Sequence, residues 1–289
     1  SLAFTSTYAF EVKIDPNQYT GEYQVLGQSG ILKGKQSLSL ESGTHYLLIG
    51  AIKPLAFVVD QDGKLSMSNS VSVTINLNQM IFNNVSINID TSIYKGDWRL
   101  PSVTDTLRNS SSNIIVVPGH HYQMQIAAID HFTFSVDSTG HIGNISKPAA
   151  ATPMSNSIHL KTSQINIKKG QYKGMWRLPS ILQLREDEAS NIALVKGIKY
   201  QVQIATMGKF IFTFDENGQA TIENKLSASV NDVNLTFNSI EVGVTTNSYT
   251  GNWWMSNVHN TAAKERSVLH FVPGLEYRLL LDNLTYTDF

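Results

Sequence analysis

Tyr172-Lys-Gly174-Met-Trp176 is one of four copies of a pentad, Tyr-x-Gly-x-aromatic. The others are Tyr19-Thr-Gly21-Glu-Tyr23, Tyr94-Lys-Gly96-Asp-Trp98 and Tyr249-Thr-Gly251-Asn-Trp253. Their tyrosines stand 75, 78 and 77 residues apart. Self-similarity at a fixed period is the signature of a repeat architecture, one supersecondary unit written several times.

Further marks keep the same interval. Gly-x-x-Tyr recurs as Gly43…Tyr46, Gly119…Tyr122, Gly197…Tyr200 and Gly274…Tyr277. A phenylalanine follows the last three of these tyrosines by twelve residues, at Phe134, Phe212 and Phe289, whereas Phe57 follows Tyr46 by eleven. Phe57, Phe134 and Phe212 open Phe-x-[Val/Phe]-Asp-x-x-Gly, with Asp60, Asp137 and Asp215 as the aspartates. Apolar pairs precede each pentad: Val12/Ile14, Ile87/Ile89, Ile165/Ile167 and Val242/Val244.

These marks lie on period-2 patterns such as Tyr122-Gln-Met124-Gln-Ile126, which is the signature of strands with one face inward. Asp-x-x-Gly reads as a hairpin turn, Asp starting it and Gly taking the positive φ. About six strands per unit fit a small sandwich or barrel better than a propeller blade. The fold expected is all-β: a tandem array of four similar small antiparallel β-sandwich or barrel modules of about 77 residues, the last incomplete. The modules divide as 1–70, 71–147, 148–230 and 231–289. Ser146–Ser157, with Pro148 and Pro153, reads as the linker that leads into the third. Ile181–Ser190 is the best helix candidate. The chain reads as cut from a longer repeat protein; the competing reading has the N-terminal strand Leu2–Tyr8 completing the last module.

Composition narrows the function. The net charge is −1 and there is no clustered basic field, so no nucleic-acid partner is expected. No apolar run reaches the length of a transmembrane segment. The chain has no cysteine, which removes disulfide and thiolate chemistry. Charged residues are only 16%, a polar but uncharged surface that suits a secreted bacterial protein in an extracellular, cell-surface or periplasmic setting.

In the pentad, Tyr, Gly and Trp at i, i+2 and i+4 share a strand face. Glycine between two rings marks close backbone approach or a bulge. The reading preferred is a core aromatic signature. The competing reading is a carbohydrate-binding platform, with Trp98, Trp176 and Trp254 beside Arg99, Arg177, Arg108 and Arg185 as candidate ligand-binding residues. Arg99-Leu-Pro-Ser102 and Arg177-Leu-Pro-Ser180 follow the second and third pentads only. No catalytic motif is visible, the eight histidines are scattered, and Asp60-Gln-Asp62-Gly63 lacks the distal ligands of a calcium loop. No cofactor and no metal are expected.

The segments between pentad and next strand diverge most: Gly27–Ser37, Thr104–Ser112, Gln183–Ser190 and Val258–Ser267. Loops on a rigid scaffold are where recognition sits. The function expected is therefore a non-enzymatic binding protein that contacts a glycan or a protein partner through these loops. A purely structural spacer or surface-layer element is the second reading, and a glycan-active enzyme with dispersed residues the third.

Overall fold

The computed structural model describes residues 8–50, 53–69, 71–108, 110–263, 267–282 and 285–289. They form 32 strands and no helix. The fold is all-β, built from small sandwiches that repeat with the pentad. The chain divides into two compact units. The first holds Ser1–Ser92, Trp98–Gln125 and His131–Leu160; the second holds Ile93–Asp97, Ile126–Asp130 and Lys161–Phe289.

The first repeat sets the plan. One sheet has the order Gln36–Glu41, Ala9–Asp15, Gln79–Phe82, Val73–Asn76; the other runs Tyr23–Val25, Gly43–Ile49, Pro54–Val59, Leu65–Met67. All pairings are antiparallel except one, Ala9–Asp15 with Gln79–Phe82. The second and third repeats keep this order with one more edge strand in the second sheet, and they keep the single parallel pair, Val85–Asp90 with Ser157–Leu160 and Thr162–Lys168 with Asn234–Phe237. In the fourth, Ile240–Val244 pairs with Ser267–Phe271 in a two-stranded sheet, and the other sheet has four strands.

Packing between the two sheets of a sandwich is aromatic. Tyr23 meets Phe82 edge-on at 5.2 Å, and Trp176 meets Phe237 at 5.6 Å. Edge-to-face rings at this distance add to what area burial alone supplies. Val12, Ile14, Ile87, Ile89, Ile165 and Ile167, the apolar pairs before the pentads, are buried, as period-2 alternation requires.

Several expectations need correction. A repeat holds eight strands in the first copy and nine in the second and third, not six. Two extra strands come from a hairpin that closes the first sheet, and the ninth is an edge strand of the other sheet, Leu107–Arg108 or Leu182–Arg185. That hairpin, Val73–Phe82, is assigned by the division at 70/71 to the second module, yet it pairs with the first strand of its own repeat. Likewise Ser146–Ser157 is not an open linker. Ala151–Met154 is a strand, Ala150 and Ala151 are buried, and the hairpin it begins occupies the place of Val73–Phe82. Proline is tolerated there because the strand lies at a sheet edge. The helix candidate is strand as well, Leu182–Arg185 followed by Ala189–Val195. Leu2–Thr7 of the proposed N-terminal strand lie outside the described residues.

One slip of register is informative. Tyr122, Tyr200 and Tyr277 are buried, and each hydroxyl donates to a carbonyl five residues back, at Val117, Val195 and Val272. The same hydroxyl accepts that residue's N–H. Burial holds all three phenols above their usual titration range, so they stay protonated donors. Tyr46 is instead 48% exposed, and His45 takes the inward place opposite Phe57, its Nε2 2.8 Å from the Glu41 carbonyl. A shift of one residue on a strand moves a side chain to the other face. The eleven-residue interval from Tyr46 to Phe57 is the trace of this slip.

Candidate functional site at the repeat junctions

The pentad is built around one carbonyl, that of its fourth residue. The tyrosine ring folds over the glycine, and its hydroxyl donates to this carbonyl at Glu22 (2.9 Å), Asp97 (2.6 Å), Met175 (2.9 Å) and Asn252 (2.8 Å). The same carbonyl accepts a backbone N–H from Gly50, Ala127, Ala205 and Asp282, each at positive φ. The N–H of the fourth residue points onward. Glu22, Asp97 and Met175 donate it to the carbonyls of Ser102, Ser180 and Asn257, at 2.6, 2.7 and 2.7 Å, each in the repeat that follows.

These acceptors are in the left-handed region, with φ 64°, 66° and 60°. The glycine is required at this approach. A Cβ on Gly21 would stand 2.9 Å from the Ser102 oxygen, and one on Gly174 2.7 Å from that of Asn257. The Leu-Pro-Ser run after the second and third pentads therefore ends on the residue whose carbonyl receives the bond. Glycine and serine here are backbone choices, not ligands.

Beside each of these bonds lies a groove. The first, about 760 Å³, has Gln18, Thr20 and Glu22 on one wall and Ser102–Leu107 with Ser112–Ile115 on the other. The second, about 530 Å³, sets Ile93 and Lys95 against Ile181, Leu182, Arg185 and Glu188–Ala193. The third, about 320 Å³, sets Lys173 and Gly174 against Val258 and Ser267–His270. All three fall in the size range of small-ligand clefts. Each is walled in part by one of the divergent segments, Thr104–Ser112, Gln183–Ser190 and Val258–Ser267. Ile31 and Lys33, from Gly27–Ser37, contribute to a smaller depression of about 220 Å³ and to the first groove, respectively. Among 259–266, side chains lie outside the described residues.

The candidate ligand-binding residues scatter across this frame. Trp98 and Trp176 are 1% and 0% exposed, and their indole N–H groups donate to the carbonyls of Ser110 and Asp187. They hold the divergent segments from beneath and offer no face to a ligand. Trp254 is half-buried, paired with Leu280 beside the buried Trp253. Arg99 and Arg177 extend along the outer sheet face and donate from Nε to Gln125 and Gln203 at 2.8 and 2.6 Å. Arg99 reaches the first groove, and Arg108 is exposed on a two-residue strand.

Arg185 differs from the rest. It pairs with Trp176 in register, its guanidinium carbon lies 6.0 Å from the indole centroid, and it lines the second groove. The opposite wall was not evident from sequence. Thr20, Lys95 and Lys173 are the unspecified second residue of the pentad, which the repeat pattern itself marks as variable. Of the other titratable features, the aspartates of Asp-x-x-Gly form turns. Asp137 accepts from the N–H groups of Thr139 and His141, and a hydrogen bond from the Thr139 hydroxyl chiefly holds its carboxyl below the usual range. Among the described residues no cluster of three or more acids and histidines could hold a metal ion.

No protein-family model matches the chain, and no curated protein matches it. Among solved structures it is similar to the pilus adhesin SpaC from Lactobacillus rhamnosus GG, with 11% identity and a TM-score of 0.20. The match covers 80% of this chain and 42% of that one, so the chain spans less than half the adhesin's length. An overlap of that quality transfers neither fold nor function.

Proposed function

We propose that this is a non-enzymatic binding protein of the cell exterior, which recognises a glycan through the grooves at its repeat junctions. The observation that supports this most directly is a contrast within each junction. The backbone bond and pentad core recur almost unchanged, while the groove beside them is lined differently each time. A constant frame that presents variable walls is the arrangement of a recognition surface. Repeated weak sites on one chain gain avidity without new contacts. The low charge content and absence of cysteine suit an exterior setting.

A glycan array probed with the whole chain tests the reading. Replacing Gln183–Ser190 by the equivalent Asp105–Ser112 exchanges one groove wall for another within the same frame. The expected result is an altered binding profile with an unchanged unfolding midpoint. If the array shows no binding above background, the glycan reading fails and a structural spacer becomes the better description.

A further inference from the structure

The three grooves are charged differently: Lys33 and Arg99 stand with Glu22 and Asp105 in the first, Lys95 and Arg185 with Glu188 in the second, and Lys173 without an acid in the third. We infer that the second is a site for an acidic saccharide, a sugar ring that carries one carboxylate; this rests on the junction grooves being the binding surface. Arg185 and Lys95 both line it, one from each of the two repeats that meet there. At the first junction the equivalent positions are Leu107 and Thr20, and at the third Ala262 and Lys173. Only the second therefore joins an arginine to a lysine at these two places.

Arg185 is held but not satisfied. Its place in register opposite Trp176 and its position near the indole fix the side chain. Its Nε is buried and has no hydrogen-bond partner among the described residues. A buried guanidinium donor left without an acceptor is costly, and the fork geometry of arginine matches a carboxylate. Glu188 also lines the groove, and its carboxylate accepts from the Lys169 backbone N–H at 3.3 Å. One acid against two bases leaves room for a single negative charge, which favours a carboxylate over a doubly charged phosphate.

The remaining lining suits a sugar ring. Ile93, Ile181 and Leu182 line the groove and supply apolar surface for its C–H face. Gln164 and Asn191 stand among them with amide groups suited to hydroxyls. Asn191 sits in a bulge. Ile165 pairs with Ile192 but Ile167 pairs with Ala189, and Asn191 has φ 56°. The matching Asn113 of the second repeat stays in regular register opposite Asn88. Bulges of this kind re-aim side chains beside binding sites. A cleft of about 530 Å³ holds one or two rings and is too small for the area a protein partner needs.

Titration calorimetry of the whole chain with trigalacturonate, and with the neutral trisaccharide maltotriose, decides the matter. We expect trigalacturonate to bind more tightly than maltotriose, and its affinity to fall about tenfold in Arg185→Gln and in Lys95→Ala. Lys209→Ala, an exposed lysine elsewhere on the third repeat, leaves it unchanged. Lys95 is exposed, so its variant reports on binding independently of any change in packing at Arg185. Equal affinity for the two sugars, no binding of trigalacturonate, or affinity unaltered in both variants overturns the inference. Neutral glycans retained on the array and lost on exchange of Gln183–Ser190 would then leave the general reading standing while this one falls.

Discussion

Trp176 and Arg185 face each other across one rung of the same strand pair, yet they belong to different regions of the molecule. Trp176 is fully buried and has an aromatic counterpart in every repeat, whereas Arg185 opens on a groove and has leucine and alanine at its equivalents. The difference teaches how this chain separates duties. Positions that the repeat conserves within itself, the slipped Tyr46 aside, meet other side chains or backbone of the frame. Positions that it lets vary meet open space. The boundary between the two runs down a single pair of residues.

The largest test of that division is Trp176→Ala. It should destabilise the third repeat by about 3–5 kcal/mol, because the cavity would lie between two sheets. Thermal unfolding would read the loss, and Trp254→Ala should fall near about 1 kcal/mol. If the two variants behave alike, burial does not distinguish the regions.

A second test lies in the core of the other unit. His120 is buried, with its Nε2 unpartnered among the described residues, and burial, then the charge of His121, lowers its pKa to about 4. The folded state holds it neutral, whereas the unfolded chain takes up a proton near the ordinary value of about 6.5. Its contribution to stability is therefore complete above about pH 6.5 and is lost as pH falls towards 4. The loss should be about 2–3 kcal/mol. Denaturant midpoints measured across that window should flatten in His120→Phe.

Gly174→Ala places a methyl group against the Asn257 carbonyl and the Tyr172 hydroxyl, and should cost about 2 kcal/mol. Hydrogen exchange of the Met175 amide should rise with it. Tyr200→Phe removes a buried hydroxyl bonded to both the N–H and the carbonyl of Val195, a loss of about 1–2 kcal/mol in the unfolding midpoint. Smallest of all, Arg185→Gln should shift stability by less than about 0.5 kcal/mol. A loss comparable to that of Tyr200→Phe would put Arg185 in the frame rather than in the groove.

Much of the frame could be read from residues alone, because alternation, turn chemistry and a 77-residue period all act locally. The pentad, the Asp-x-x-Gly turns and the inward isoleucines carry their geometry in their spacing. What escaped depends on partners far away in sequence. Val73–Phe82 and Ala151–Leu160 resemble openings of the next repeat until pairing with strands 66 and 69 residues earlier is known. Tyr46 carries the residue type of its sisters in the wrong phase, and only the eleven-residue interval betrays it. Of the groove, the divergent wall was legible as variability. Lys95 was not, since it hides inside the motif that looked most conserved.

The bond from the fourth pentad residue to the left-handed carbonyl of the following repeat involves no side chain at either end. That makes it a standard fitting, moulded into the main chain at three successive junctions, while the Asn252 N–H of the last copy turns to the Asp282 carboxylate instead. A duplicated copy inherits both halves and docks without co-adapted mutations. Grooves can then diversify, and copies can be added or removed by recombination, while the fastening stays in place.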